Sequence, residues 1–157
     1  MTTETVTILH FAGSQPAHKI YRVDSSTDYK AGSLVTAEER AVAGLAEFQL
    51  LLAELEDMPS AFIIRGAPIR VVGSSRTVRR RSRGEEAAFV SRATRLFCVD
   101  VDKVEAPSGV DPCSKEAIEH VISLLPVEFQ SASCIAQFSN SAGTARAGRA
   151  IKLHLWF

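Results

Sequence analysis

The sequence has few cysteines, no net charge and no long hydrophobic run, and each shortage narrows what the chain can be. Cys98, Cys113 and Cys134 are the only 3 thiols in 157 residues. They are an odd number at wide spacings, with no CxxC and no neighbouring His pair, which argues against a disulfide framework and against a zinc site. They are expected to be reduced, mostly buried thiols. Lys plus Arg and Asp plus Glu both number 18, giving a formal charge of +0. No global excess therefore draws the chain to nucleic acid or to a membrane, and any electrostatic signal is local. No apolar run approaches the ~18 to 20 residues of a membrane span, and the acidic, Thr-rich start lacks the basic and apolar regions of a signal peptide. The expectation is a soluble, cytoplasmic protein with no membrane partner. There is no internal repeat and no long low-complexity tract, and 46% hydrophobic residues suffice for the core of a single domain over residues 1–157.

Residues 1–60 predict N-terminal strands and a helix. Thr5 to Phe11 and His18 to Val23 alternate like strands around an Ala-Gly-Ser-Gln-Pro turn, as a hairpin would. Thr36-Ala-Glu-Glu39 matches a capping box, after which Val42, Leu45, Phe48, Leu52 and Leu55 recur at helical spacing until Met58-Pro59. Over residues 61–157, Ala61 to Arg65 and Ile69 to Val72 predict strands separated by Gly66 and Pro68, and the Arg-rich stretch Ser74 to Gly84 predicts an exposed loop or hairpin. Leu96 to Val101 predicts a strand, Ser114 to Leu125 a helix ended by Pro126, and Ala132 to Phe138 and Ala150 to Phe157 two further strands. This order predicts an α+β domain with a mixed or antiparallel sheet flanked by helices.

Side chains alternate faces along a strand, so Phe97, Val99 and Val101 point one way and Cys98, Asp100 and Asp102 the other. Two carboxylates at i and i+2 can both reach a divalent ion, although a solvated strand end carries the same pattern. In the last strand Ile151, Leu153, Leu155 and Phe157 form one face, and Lys152, His154 and Trp156 the other. If the two strands are neighbours, His154 and Lys152 lie across from Asp100 and Asp102; a half-exposed edge strand fits the alternation equally. The loop from Phe138 to Arg149 offers hydroxyls, backbone amides and guanidinium groups that can hold phosphate, with Ser139, Ser141 and Arg149 as candidate contacts, but it lacks a Walker ending and resembles any small-residue connection. Charge is also uneven: residues 1–60 carry 4 basic and 9 acidic side chains, whereas residues 65–95 carry 9 arginines against Glu85 and Glu86. Arg76, Arg79, Arg80, Arg81 and Arg83 form a patch that either neutralises nucleic-acid phosphates or is simply solvated.

Taken together, Phe62-Ile-Ile-Arg-Gly66, Val78-Arg-Arg-Arg81, Leu96-Phe-Cys-Val-Asp-Val-Asp102, Gln137-Phe-Ser-Asn-Ser-Ala-Gly143 and His154-Leu-Trp-Phe157 resemble the primase-polymerase module of the archaeo-eukaryotic primase superfamily, in the form found in replication proteins of phages, plasmids and integrated elements. The resemblance implies an RRM-like catalytic core and two-metal nucleotidyl transfer with Mg²⁺ or Mn²⁺ on Asp100 and Asp102. It further implies His154 on the phosphates of the incoming nucleotide, nucleoside triphosphates and a single-stranded DNA template as substrates, and a replicative helicase as a further partner. The residue two before that His is often Ser in the family and is Lys152 here. The family's third acidic motif would fall beyond Phe157, so the resemblance implies a core that is incomplete at its C-terminus. Two other readings use the same residues: an inactive remnant that binds nucleic acid or a replication partner, and a metal-dependent nuclease, which leaves the loop and His154 unexplained.

Overall fold

A computed structural model of the chain describes residues 3–12, 16–17, 19–22, 25–27, 34–69, 77–79 (backbone only) and 88–157. In chain order the elements are strands β1 (Glu4–Phe11), β2 (Ile20–Tyr21), β3 (Ser26–Thr27) and β4 (Leu34–Val42), helix α1 (Leu45–Glu56), strands β5 (Ala61–Ile64), β6 (Ala67–Pro68), β7 (Thr77–Arg79), β8 (Phe89–Val90) and β9 (Cys98–Glu105), helices α2 (Lys115–Ser123) and α3 (Val127–Gln130), and strands β10 (Ile135–Phe138) and β11 (Ala150–Trp156). The protein is α+β, and every described strand pairing is antiparallel. The chain divides into two compact units: Met1–Lys19 with Asp28–Arg95, and Ile20–Thr27 with Leu96–Phe157. This division does not coincide with the partition at residue 60 drawn from the sequence.

The first unit is built on the sheet β5-β1-β4-β7. Its central strand β1 is buried along much of its length because both edges are paired, with β4 on one side and β5 on the other. No edge remains for the expected hairpin with residues 18–23; instead Ile20–Tyr21 pairs with Ser26–Thr27. The expected helix start is also corrected. Thr36 to Glu39 lie within β4, and the helix begins only at Leu45. Val35, Ala37 and Val42 are buried, and Arg40 donates from Nε and Nη2 to Glu38 Oε1 at 3.1 and 2.8 Å. Residues two apart share a face in a strand and not in a helix, so this pair is a product of the extended backbone. The helix starts after Gly44, whose φ of 154° suits glycine, and Glu47 Oε2 accepts from the Ala43 amide at 2.6 Å. The glutamate in the first turn of the helix is thus Glu47, not Glu39, and it binds back to the chain just before the helix. Phe48, Leu51 and Leu52 form its buried stripe.

Where a strand is expected from Ile69, the observed pairing lies just before it, Ala67–Pro68 with Phe89–Val90, and the Ile69 amide donates to Ala88 O at 2.9 Å. Residues 70–72 lie outside the described residues. Just before it, Gly66 has φ 141°, and a Cβ there would sit 2.9 Å from the Val90 carbonyl oxygen. The buried Thr7 hydroxyl donates to Gly66 O at 2.6 Å.

The second unit contains the sheet β10-β11-β9, with β11 central. Helix α2 starts as the sequence predicts: Ser114 caps it, its Oγ accepting from the Ala117 amide at 3.3 Å. Ala117 and Val121 then join Val101, Ile151, Leu153 and Leu155 in one buried cluster. Strand β9 runs to Glu105, four residues beyond its expected end, and the turn of helix α3 after Pro126 was not expected. Among the described residues, no helix is long and apolar enough to cross a membrane.

Two outcomes follow from this packing. Leu153 is 0% exposed, so Leu153→Ala should lower the unfolding free energy of the second unit by about 2–5 kcal/mol in urea denaturation. Val127→Ala, at a position 72% exposed, should stay within about 0.5 kcal/mol. In the first unit the Glu38 carboxyl is held below its ordinary 4.5, chiefly by the hydrogen bond from Arg40, with His10 adding to it and burial opposing it. A carboxyl whose pKa is lower in the folded than in the unfolded state stabilises the fold above the unfolded value, and that contribution is lost as pH falls through the folded value. Unfolding measured at stepwise lower pH should show the first unit weakening below about 4.5, and Glu38→Gln should flatten that decline.

Candidate functional site

The site is written by the register of β9 on β11. Val99 pairs with Leu155 and Val101 with Leu153, and these side chains face the buried cluster. The intervening residues are thereby turned to the opposite face: Cys98 opposite Trp156, and Asp100 opposite His154. Strand β10 adds Ile135 opposite Trp156 and Gln137 opposite His154. The Ser139 amide donates to Lys152 O at 3.0 Å, carrying the pairing one rung further. The polar face thus has an apolar row (Ile135, Trp156, Cys98) and a mixed row (Gln137, His154, Asp100), followed by a charged row around Lys152 and Asp102.

The charged groups are paired across the strands. Lys152 Nζ donates to Asp102 Oδ1 at 3.0 Å, and His154 Nε2 lies 3.5 Å from Asp100 Oδ1, an electrostatic contact longer than a good hydrogen bond. The two carboxylates are open, with side chains 67% and 59% exposed, whereas Lys152 is only 21% exposed. The His154 ring also meets Trp156 edge-on, with centroids 6.4 Å apart.

Between these rows the pairing contains a bulge. Leu153 opposes Val101 but Ile151 opposes Val104, so Asp102 and Lys103 together face Lys152. With regular pairing, strict alternation would turn Lys103 into the core; the extra residue puts Val104 there and leaves Asp102 and Lys103 both exposed. The sequence holds the signal in the broken alternation Val99, Val101, Val104, and the expectation of a strand ending at Val101 passed over it.

The loop after β10 is engaged largely with itself. The amides of Ala142, Thr144, Ala147 and Gly148 donate to carbonyls within it, so they are not the open amides the sequence suggested. Ser139 Oγ and Ser141 Oγ are 3.3 Å apart, and the Thr144 hydroxyl donates to Ser141 O. Arg149 Nη2 donates to Ala106 O at 2.8 Å and to Pro107 O at 2.5 Å, fastening the chain where it leaves β9. At a strand rise of about 3.4 Å per residue, Arg149 lies roughly 17 Å from His154. The structure brings together Asp100, Asp102, Lys152, His154 and, by register, Ser139, and it leaves Arg149 elsewhere. Gln137, opposite His154, is a member that sequence reasoning did not single out. Its signal was the alternation of Gln137 in β10 with Ser139 just beyond it.

Of the arginine patch, Arg79 belongs to β7, whose backbone pairs with β4; Arg76, Arg80, Arg81 and Arg83 lie outside the described residues. None of the three cysteines is in a disulfide, and all are half-buried. Burial pushes the Cys113 and Cys134 thiols up, with Asp111 adding to the effect on Cys113, so neither is primed as a nucleophile.

Among the described residues, no three His, Cys, Asp or Glu side chains gather as a closed metal cage. Asp100 and Asp102 are two open carboxylates whose observed partners are the basic side chains His154 and Lys152.

The bulge makes its own prediction. Deleting Lys103 should restore regular alternation with Val99, Val101 and Val104 still inward, and cooperative unfolding should persist. Deleting Val101 should turn charged positions inward and cost more than about 3 kcal/mol in the same urea titration. No family model, curated protein or solved structure matches the chain, so the roles of these residues are argued from their geometry and from the sequence pattern.

Proposed function

We propose that the chain carries a nucleotidyltransferase core of the primase-polymerase kind, with the β10-β11-β9 sheet as its RRM-like platform. One observation supports this reading above others: two open carboxylates and two basic side chains face one another across neighbouring strands, Lys152 on Asp102 at 3.0 Å and His154 on Asp100 at 3.5 Å. Phosphoryl chemistry on a nucleoside triphosphate calls for both kinds of group. Mg²⁺ or Mn²⁺ on Asp100 and Asp102 would activate the attacking 3′ hydroxyl and neutralise the leaving pyrophosphate. The chain's own work is positional. His154 and Lys152 donate to phosphate oxygens, with Gln137 and Ser139 beside them; His154, Lys152 and Gln137 stand on paired strands whose other face meets the core, which holds reacting groups in place.

In this reading the substrates are nucleoside triphosphates and a single-stranded DNA template, in the cytoplasmic replication of a mobile element with a replicative helicase as partner. Arg76, Arg79, Arg80, Arg81 and Arg83 neutralise template phosphates without reading bases. A metal-dependent nuclease would use the same carboxylates and leave the basic side chains opposite them without a task.

The test is calorimetric binding of Mn²⁺ with a non-hydrolysable nucleoside triphosphate, together with primer extension on single-stranded DNA. The double variant Asp100→Asn with Asp102→Asn should keep its melting profile, because the side chains are exposed, and should bind the Mn²⁺–nucleotide pair at least about tenfold more weakly. Equal affinity in wild type and variant would refute the site. Carboxylate-dependent binding without any extension product would favour the binding-only remnant over the enzyme.

A further inference from the structure

We infer that Lys152 is a built-in counter-ion for Asp102, with which a metal ion must compete, so that a divalent ion enters this face more readily together with a nucleotide. The inference rests on the nucleotidyltransferase reading and adds the order in which its ligands arrive. Three observations carry it. The ammonium is already hydrogen-bonded to the carboxylate, Nζ to Oδ1 at 3.0 Å. The bulge, which sets Asp102 and Lys103 against Lys152 alone, holds Lys152 at that rung. And Lys152 is the enclosed member of the pair, 21% exposed against 59% for Asp102, so the interaction is less open to competing water than an ordinary surface ion pair.

A divalent ion on Asp102 would sit within a few ångströms of this ammonium. Repulsion between a double and a single positive charge at that range opposes holding both cations on one carboxylate, so the metal competes with the ammonium for Asp102. The loosened ammonium gains from a new anion. His154 offers none, Lys103 is a like charge, Ser139 is neutral, and Asp100 would draw the ammonium onto the metal's other ligand. A triphosphate meets the need: its oxygens bridge the metal and take up the freed ammonium. Metal alone bears the whole cost of breaking the Lys152–Asp102 pair, and metal with nucleotide bears little of it. By linkage, the nucleotide gains the same advantage from the metal.

The experiment measures Mn²⁺ binding by electron paramagnetic resonance, with and without a non-hydrolysable nucleoside triphosphate, on wild type, Lys152→Ala, Lys152→Gln and the Asp100→Asn, Asp102→Asn double variant. Both Lys152 variants should bind Mn²⁺ alone more tightly than wild type, by up to about fivefold, the size of an ion pair of this exposure, and the factor by which nucleotide tightens Mn²⁺ binding should shrink correspondingly. Two variants are used so that a folding defect in one does not decide the result. If neither binds Mn²⁺ alone more tightly than wild type, while wild type still binds the Mn²⁺–nucleotide pair through its carboxylates, the counter-ion role of Lys152 is overturned and the nucleotidyltransferase reading stands. If the double variant binds the pair as wild type does, that reading fails and the inference fails with it.

Discussion

The antiparallel seam between β9 and β11 is the constraint on which the second unit depends. Along it Val101, Ile151, Leu153 and Leu155 are buried, and burying a side chain of this kind is worth about 1.5–3 kcal/mol. The ion pairs on the other face are exposed or half-exposed and worth about 0–1 kcal/mol each. The core therefore sets the register and the charges follow. A slip of one residue would bury Lys152 and His154 and expose the leucines, an exchange no surface pair could offset. What looks like a designed meeting of acid and base is held in place by the apolar side of the sheet.

Each unit resolves a pair of charged residues two apart on one strand, and they do so differently. In β4 the pair is Glu38 and Arg40, opposite in sign. They bond to each other, His10 approaches Glu38 from β1, and Glu54 meets Arg40 from α1. That cluster is closed on itself and ties strand to helix. In β9 the pair is Asp100 and Asp102, alike in sign, and no bond along the strand can satisfy both. Their partners come from the neighbouring strand, and the carboxylates keep open surface toward solvent. The first arrangement is spent on the fold, and the second leaves two carboxylates open to solvent.

Much of this is legible in the sequence where period and burial agree. The twofold alternation of Ile151, Leu153 and Leu155 and of Val99 and Val101 is enough to place the Asp, His and Lys side chains on the opposite faces of their strands. Ser114 announces the start of α2. Thr36 to Glu39 mislead, because a capping box is a local preference while β4 is settled by its pairing with β1 along both strands; the helix signal is real but begins after Gly44. The hairpin of β1 with residues 18–23 fails for a related reason, since β5 and β4 arrive from far along the chain to take both edges of β1. Whether the loop after β10 keeps its amides for itself is decided by turn geometry that Gly and Ser permit but do not dictate.

The energetics of the polar face explain how the fold can carry it at all. At two residues along a strand, about 6.8 Å, the repulsion between Asp100 and Asp102 is about 0.6 kcal/mol in water and about 2.4 kcal/mol at the effective dielectric of a protein surface. Either value is smaller than what the buried underside contributes, and Lys152 and His154 offset part of it. The second unit can thus fold around its core with the acidic pair in place and no ion bound. The same few kcal/mol are large on the scale of ligand binding, where about 1.4 kcal/mol is a tenfold change in affinity. Charges too weak to determine the fold are thus large enough to matter for the ligands proposed for this face, and the bulge beside Asp102 sets which charges those are without disturbing the core beneath.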